Sequence, residues 1–408
     1  MAAQSAPPLE GVRVLELGTM YAAPTTGRML RDFGAEVIKI EDPERGDYAR
    51  QWTPQKDGLS LGFARLNAGK RSVAIDLRDP RGRELVLRLA ADADVVTESF
   101  RPGRLERWGL GYEQLSAANP DLVLTRLSGF GQTGPYRERP GFGTIAETAS
   151  GFAAVNGWPD GPPTSPPFGF ADSIAGIAAA MGTAIALFRR ERTGEGEVVD
   201  VALYEPLMFI VGDLILKYTA LGEIQERVGN GTGSASPRGI YRTADGHWIS
   251  IAASNQAIAE RLFAAMERPE LVADPRFASN AARLANDAEL QELVIAWVGS
   301  RSRAQALESL DRFEVVASAV NDARDVVEDP HFRERTLVEL HGNEILGSAL
   351  LPGPVLHLRD YAGPSYVGVA GLGEHTAEVL GGQLGLTPGE LDELAERGVI
   401  AVPQGAAA

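Results

Sequence analysis

Phe168-Gly-Phe-Ala-Asp172-Ser-Ile-Ala-Gly176-Ile-Ala-Ala-Ala-Met-Gly-Thr-Ala-Ile-Ala-Leu187-Phe-Arg-Arg190 is the stretch whose reading decides the fold. Leucine, isoleucine, methionine and alanine fill most of it, and it holds no proline. Alanine is the best helix former, so the stretch reads as one long helix. Its apolar character runs nearly all round, which predicts burial. The charged, glycine-containing run Arg189-Arg-Glu-Arg-Thr-Gly-Glu-Gly196 is a normal helix ending. One acid, Asp172, stands near the start. It suits an N-cap, because its oxygens can accept free backbone N–H groups. A carboxylate there is also kept ionised by the helix dipole and is available as a nucleophile.

Upstream of this helix, strands and helices alternate. Residues 12–17, 34–40, 72–76, 94–98 and 122–127 read as strands, and residues 24–33 and 80–91 as helices. That order predicts an α/β fold with a parallel sheet covered on both faces, Rossmann-like in layout. Ligands in such sheets sit beyond the carboxyl ends of the strands. The turn after the first strand, Gly18-Thr-Met-Tyr-Ala-Ala-Pro24, lacks the G-x-G-x-x-G spacing, so a nicotinamide dinucleotide site is not expected.

Glycine and proline crowd residues 128–143 and 158–167 into long, shaped loops. After a second apolar helix to about residue 221, Gly229-Asn230-Gly231-Thr-Gly233 forms a loop that suits a linker or a lid. From Arg238 the texture changes to a hairpin with an Asp245-Gly246 turn, followed by Ala/Leu-rich helices. The expected division is a large domain over 1–222, a linker over 223–237, a smaller α+β domain over 238–330 and a return segment over 331–408.

The chain has 408 residues, no cysteine and a net charge of −16. Disulfides and thiolate chemistry are therefore excluded, and a cytoplasmic setting is expected. The acidity argues against a general nucleic-acid partner. No uninterrupted apolar span and no signal peptide are read, so no membrane partner is expected. All five histidines lie late, at 247, 331, 341, 357 and 375, with no metal-ligand spacing. No G-x-S-x-G elbow is present either. A carboxylate is what remains as the reactive group. Basic residues gather in the sheet loops at Lys70, Arg71, Arg101 and Arg104, either as solvated charges or as a phosphate-binding face.

Several pieces then fall in one register. They are Gly34-Ala-Glu-Val-Ile-Lys-Ile-Glu41 with Gly46-Asp47, Asn67-Ala-Gly-Lys-Arg-Ser72, and Glu98-Ser-Phe-Arg-Pro-Gly103 with Trp108-Gly-Leu-Gly-Tyr112. Ser128-Gly-Phe-Gly-Gln-Thr-Gly-Pro135, Asp172, Arg192-Thr-Gly-Glu-Gly-Glu-Val-Val-Asp200, Asp274-Pro-Arg-Phe277 and Leu372-Gly-Glu-His-Thr376 complete the set. Over essentially its whole length the chain resembles the class III CoA-transferases, a family that also holds the α-methylacyl-CoA racemases.

The resemblance implies a large Rossmann-like domain built from both chain ends, a small inserted domain, and an interlocked homodimer. It implies that Asp172 attacks an acyl-CoA to give an aspartyl anhydride and then an aspartyl-CoA thioester. No metal and no tightly bound cofactor are needed, since coenzyme A is a substrate. Lys70, Arg71, Arg101 and Arg104 would meet its phosphates, and Met20, Tyr21 and Ala22 its thiol end. Lys39, Asn67, Ser99, Phe100 and Arg139 join the CoA-facing set by the same carry-over. Gly229, Asn230, Gly231 and Gly233 match the family's flexible active-site loop. Dicarboxylates such as succinate are common donors in the family.

Two departures stand out. Where formyl-CoA transferases carry an orienting acid, this chain has Gly143, with Glu147 one helical turn later; this speaks against oxalate or formate chemistry. Asn255-Gln-Ala-Ile258 stands where many members have a tryptophan. A racemase needs paired acid/base groups at the α-carbon, and no histidine precedes His247. A CoA-binding protein without turnover is the remaining alternative.

Overall fold

A computed structural model describes residues 6–403. The opening Met1-Ala-Ala-Gln-Ser5, which figured in the signal-peptide reading, lies outside them, as do residues 404–408. The chain divides into two compact units. The first comprises Met1–Phe152, Ser165–Ile215 and His331–Ala408; the second comprises Ala153–Thr164 and Leu216–Pro330.

The first unit is built on a seven-stranded sheet. From one edge its strands are Ile400–Ala401, Arg71–Ile75, Glu36–Glu41, Arg13–Glu16, Val95–Glu98, Val123–Ser128 and Glu197–Ala202. All pairs are parallel except that of Ile400–Ala401 with Arg71–Ile75. Apolar pairs alternate between its faces. Leu15, Ile38, Val96 and Leu124 pack with Leu85 and Leu89 of the Pro80–Ala91 helix, while Val14, Val37, Val95 and Val123 pack with Ala180, Ala186 and Leu187 of the long helix. Each such fully buried aliphatic side chain contributes about 1.5–3 kcal/mol. Apolar residues at successive strand positions are what a sheet covered on both faces requires.

The strand order reverses between Arg13–Glu16 and Val95–Glu98. At such a switch point the loops leaving the two strands part and open a crevice.

The long helix runs from Phe170 to Thr193. It packs against the Ala22–Arg31 helix so closely that a side chain at Gly176 would overlap Thr25 and the carbonyl of Ala22. By length and composition it could cross a bilayer, with a mean hydropathy of 1.6, contrary to the reading above. Its packing here is that of a helix laid on a sheet. Complete burial is not observed: Ile177, Met181, Ile185 and Phe188 form an exposed apolar stripe at helical spacing.

The second unit has a three-stranded antiparallel sheet of Arg238–Arg242, Trp248–Ala252 and Ala317–Ala319. Ile249, Ile251, Leu262, Val294 and Leu310 form its core. Residues 153–164, read above with the large domain, pack inside this unit. Arg227 donates to the carbonyls of Trp158 and Gly161, and Gly229 N–H to that of Gly157.

Candidate active site

The crevice at the switch point opens into a cavity of about 640 Å³, inside the range typical of small-molecule sites. Met20, Tyr21 and Ala22 enter it from the first strand–helix turn, and Ser99, Phe100, Arg101 and Arg104 from the turn after Val95–Glu98. Arg139 and Gly143 come from the glycine-rich loop, and Asp172 from the first turn of the long helix. Asp172 is the single acid among the residues lining the cavity, against the three arginines 101, 104 and 139.

Asp172 is not an N-cap. Gly169 holds that place, and Asp172 is the third residue of the helix. Its carboxylate instead lies against Gly143, whose backbone N–H favours the charged form. The approach is so tight that a Cβ at residue 143 would overlap the carboxylate. A glycine is thus required where the loop passes the acid. Nor does the helix dipole dominate. Burial, then the nearby charge of Glu147, push the Asp172 carboxyl up to about 6, with the Gly143 N–H opposing. It is still mostly ionised at neutral pH, and more basic than an ordinary aspartate.

Buried charge fixes the first turn. Lys39 Nζ bonds Glu16 at 2.9 Å, Asp47 at 2.8 Å and the carbonyl of Gly18 at 3.0 Å. Asp47 accepts the N–H of Met20 at 2.9 Å, and Met20 sits at a left-handed φ of 71°. Although burial opposes it, Asp47 and Glu16 hold Lys39 above its ordinary value. The second turn is held likewise: Glu98 accepts the N–H of Phe100 and pairs with Arg126, each at 2.7 Å.

Four residues expected against CoA are not on the cavity wall. Lys39 is part of the cluster just described. Lys70 gives its protons to Glu16, the carbonyl of Pro24 and Asn67, and burial pushes it down to about 8. Asn67 is consumed by Lys70 and by the carbonyl of Phe63. Arg71 pairs with Glu36 and Glu378. An acid inside an apolar strand, Glu16, was the available sign for Lys39 and Lys70, since buried charges must be paired. Thr19, Trp52 and Phe168 line the cavity without having been anticipated; Trp52 stacks on Tyr21 at 5.8 Å between ring centres. Gly229, Asn230, Gly231 and Gly233 form a largely exposed turn of the second unit, with Gly229 against the Trp158 ring. Among the described residues no group of three or more metal-ligating side chains occurs.

The family model described as CoA-transferase family III matches residues 9–376. The succinyl-CoA–D-citramalate CoA-transferase of Chloroflexus aurantiacus is 42% identical, across 98% of this chain and 100% of that protein. The succinate–glutarate CoA-transferase of Agrobacterium fabrum is 35% identical, across 92% of this chain and 95% of that one. The crystal structure of a CAIB/BAIF family protein from Brucella suis superimposes with a TM-score of 0.83, at 34% identity over 93% of this chain and 100% of that one. The chain belongs to CoA-transferase family III.

Proposed function

We propose, from that membership and the cavity, that this chain moves coenzyme A between an acyl-CoA and a free carboxylic acid through covalent intermediates on Asp172. The observation that carries the reading is one basic, partly desolvated carboxylate sharing a single cavity with three arginines. An oxygen of Asp172 attacks the thioester carbonyl carbon, the C–S bond breaks, and the electron pair leaves on sulfur. The thiolate then attacks the aspartyl carbonyl of the anhydride, giving an aspartyl-CoA thioester and releasing the donor acid. The acceptor carboxylate takes the same steps in reverse. Each bond broken is replaced by one of similar group-transfer potential, so the exchange needs no ATP. Gly143 aims the nucleophile, and Arg101 and Arg104 offer forks for the phosphates of CoA.

Succinyl-CoA is the donor in this reading, and a small dicarboxylic or hydroxydicarboxylic acid the acceptor. The names of the C. aurantiacus and A. fabrum relatives support both choices. The working form is a homodimer: the stripe from Ile177 to Phe188, with the 88% exposed Phe209, is an apolar surface that a second copy would cover.

The test is transfer from succinyl-CoA to a panel of acids by wild type and Asp172→Ala. Wild type should form new thioesters with ping-pong kinetics, favouring dicarboxylates. The alanine variant should bind CoA and transfer nothing. Transfer surviving in Asp172→Ala would refute the reading.

A further inference from the structure

Gly143 and Glu147 stand one turn apart on the Gly143–Ala149 helix, so both face the start of the long helix. Gly143 lies against the Asp172 carboxylate, and Glu147 accepts the N–H of Ala171 at 3.4 Å. Glu147 is only 1% exposed, and its Oε2 has no hydrogen-bond partner. Burying a carboxylate with an unmet oxygen beside a second carboxylate is costly, and a hydrogen-bonded neutral side chain would avoid that cost. Charges on the other elements packed against the long helix are engaged elsewhere. Arg28 pairs with Asp32, and Arg126 with Glu98 and Glu106. Asp200 accepts the N–H of Gln132, and Glu205 that of Ala202. Tyr21 accepts from Arg65, and Arg101, Arg104 and Arg139 line the cavity.

We propose that Glu147 is a positioning residue that holds the first helical turn through Ala171 and drives Asp172 into its acylated forms by like-charge repulsion. The inference rests on Asp172 being the nucleophile. When Asp172 is acylated, its negative charge leaves with the sulfur. Repulsion from Glu147 acts on the free carboxylate and vanishes in the anhydride and the thioester, so it raises the starting state alone. It also contributes, after burial, to the raised basicity of Asp172.

The experiment measures hydroxamate formation at Asp172 from succinyl-CoA and hydroxylamine over about pH 4.5 to 8.5. Wild type, Glu147→Gln, Glu147→Met, Glu147→Asp and Asp172→Asn are compared. Either neutral variant should move the acid limb down by about one pH unit and slow the plateau roughly three- to tenfold. Glu147→Met serves if the amide variant does not fold. Glu147→Asp, which keeps the charge, should restore most of both. A neutral variant with the wild-type limb and plateau would overturn the proposal. So would Glu147→Asp behaving like the neutral pair, since packing alone would then explain the loss. Hydroxamate persisting in Asp172→Asn would instead remove the nucleophile itself, whatever the Glu147 variants show.

Discussion

Replacing Asp172 by asparagine should make the protein more stable while removing transfer. The shape of the side chain is kept, and its oxygen can still lie against the Gly143 N–H. What is lost is a charge held in a partly desolvated place beside Glu147. The folded carboxyl lies at about 6 against an ordinary 3.8. Two units correspond to about 3 kcal/mol, and partial solvent access reduces this to about 1–2 kcal/mol. The sign follows from linkage: a carboxyl raised by folding binds protons more tightly in the native state, so its cost appears as pH rises from about 4 to about 6 and is full above that. The gain from Asp172→Asn should therefore be complete at about pH 7.5 and shrink to about a third of its size near pH 4.5. Urea unfolding of both proteins at the two pH values measures it. A variant no more stable than wild type at the higher pH, or a gain independent of pH, would refute the argument that burial and Glu147 strain this acid.

Three further outcomes are expected. Gly143→Ala should push the Asp172 carboxylate out of its place and lower turnover by roughly 100-fold, with calorimetry showing CoA affinity within about threefold of wild type. Arg101→Ala and Arg104→Ala should each weaken CoA about tenfold and lessen the salt dependence of binding, while leaving pantetheine, which lacks the charged phosphates, unaffected. Lys39→Met should cost about 3–5 kcal/mol in urea unfolding, because it leaves Asp47 buried and charged without a cation and Glu16 with Lys70 alone; a near-neutral effect would mean the cluster does not hold the Met20 turn.

The sheet was legible because its strands are buried on both faces and so are written as unbroken apolar runs, such as Val95-Val96 and Val123-Leu124. The carboxyl ends of the strands were the expected place for a ligand, whereas the switch point between the loops after residues 16 and 98 depends on strand order, a tertiary property. The chemistry of Asp172 was legible only as a carboxylate near a helix start. Its third position in the helix depends on where the helix starts, and its contact with Gly143 and its raised basicity depend on chain that packs against it from elsewhere in the sequence. That Lys39 and Lys70 lie off the cavity wall was not legible, because a basic residue beside a strand reads the same whether it meets a phosphate or a buried glutamate. Which one it meets is set by inter-strand register, and register is a tertiary property. The exposed stripe on the long helix was hidden for a similar cause: alanine and isoleucine all round do not say which side the sheet takes.

Mass spectrometry of the peptide bearing Asp172, after brief mixing with succinyl-CoA and acid quench, tests the central claim most directly. The account predicts CoA joined to Asp172 as a thioester, lost on adding an acceptor acid and absent from Asp172→Asn. Steady turnover with that peptide unmodified, or with CoA joined to another residue, would contradict it.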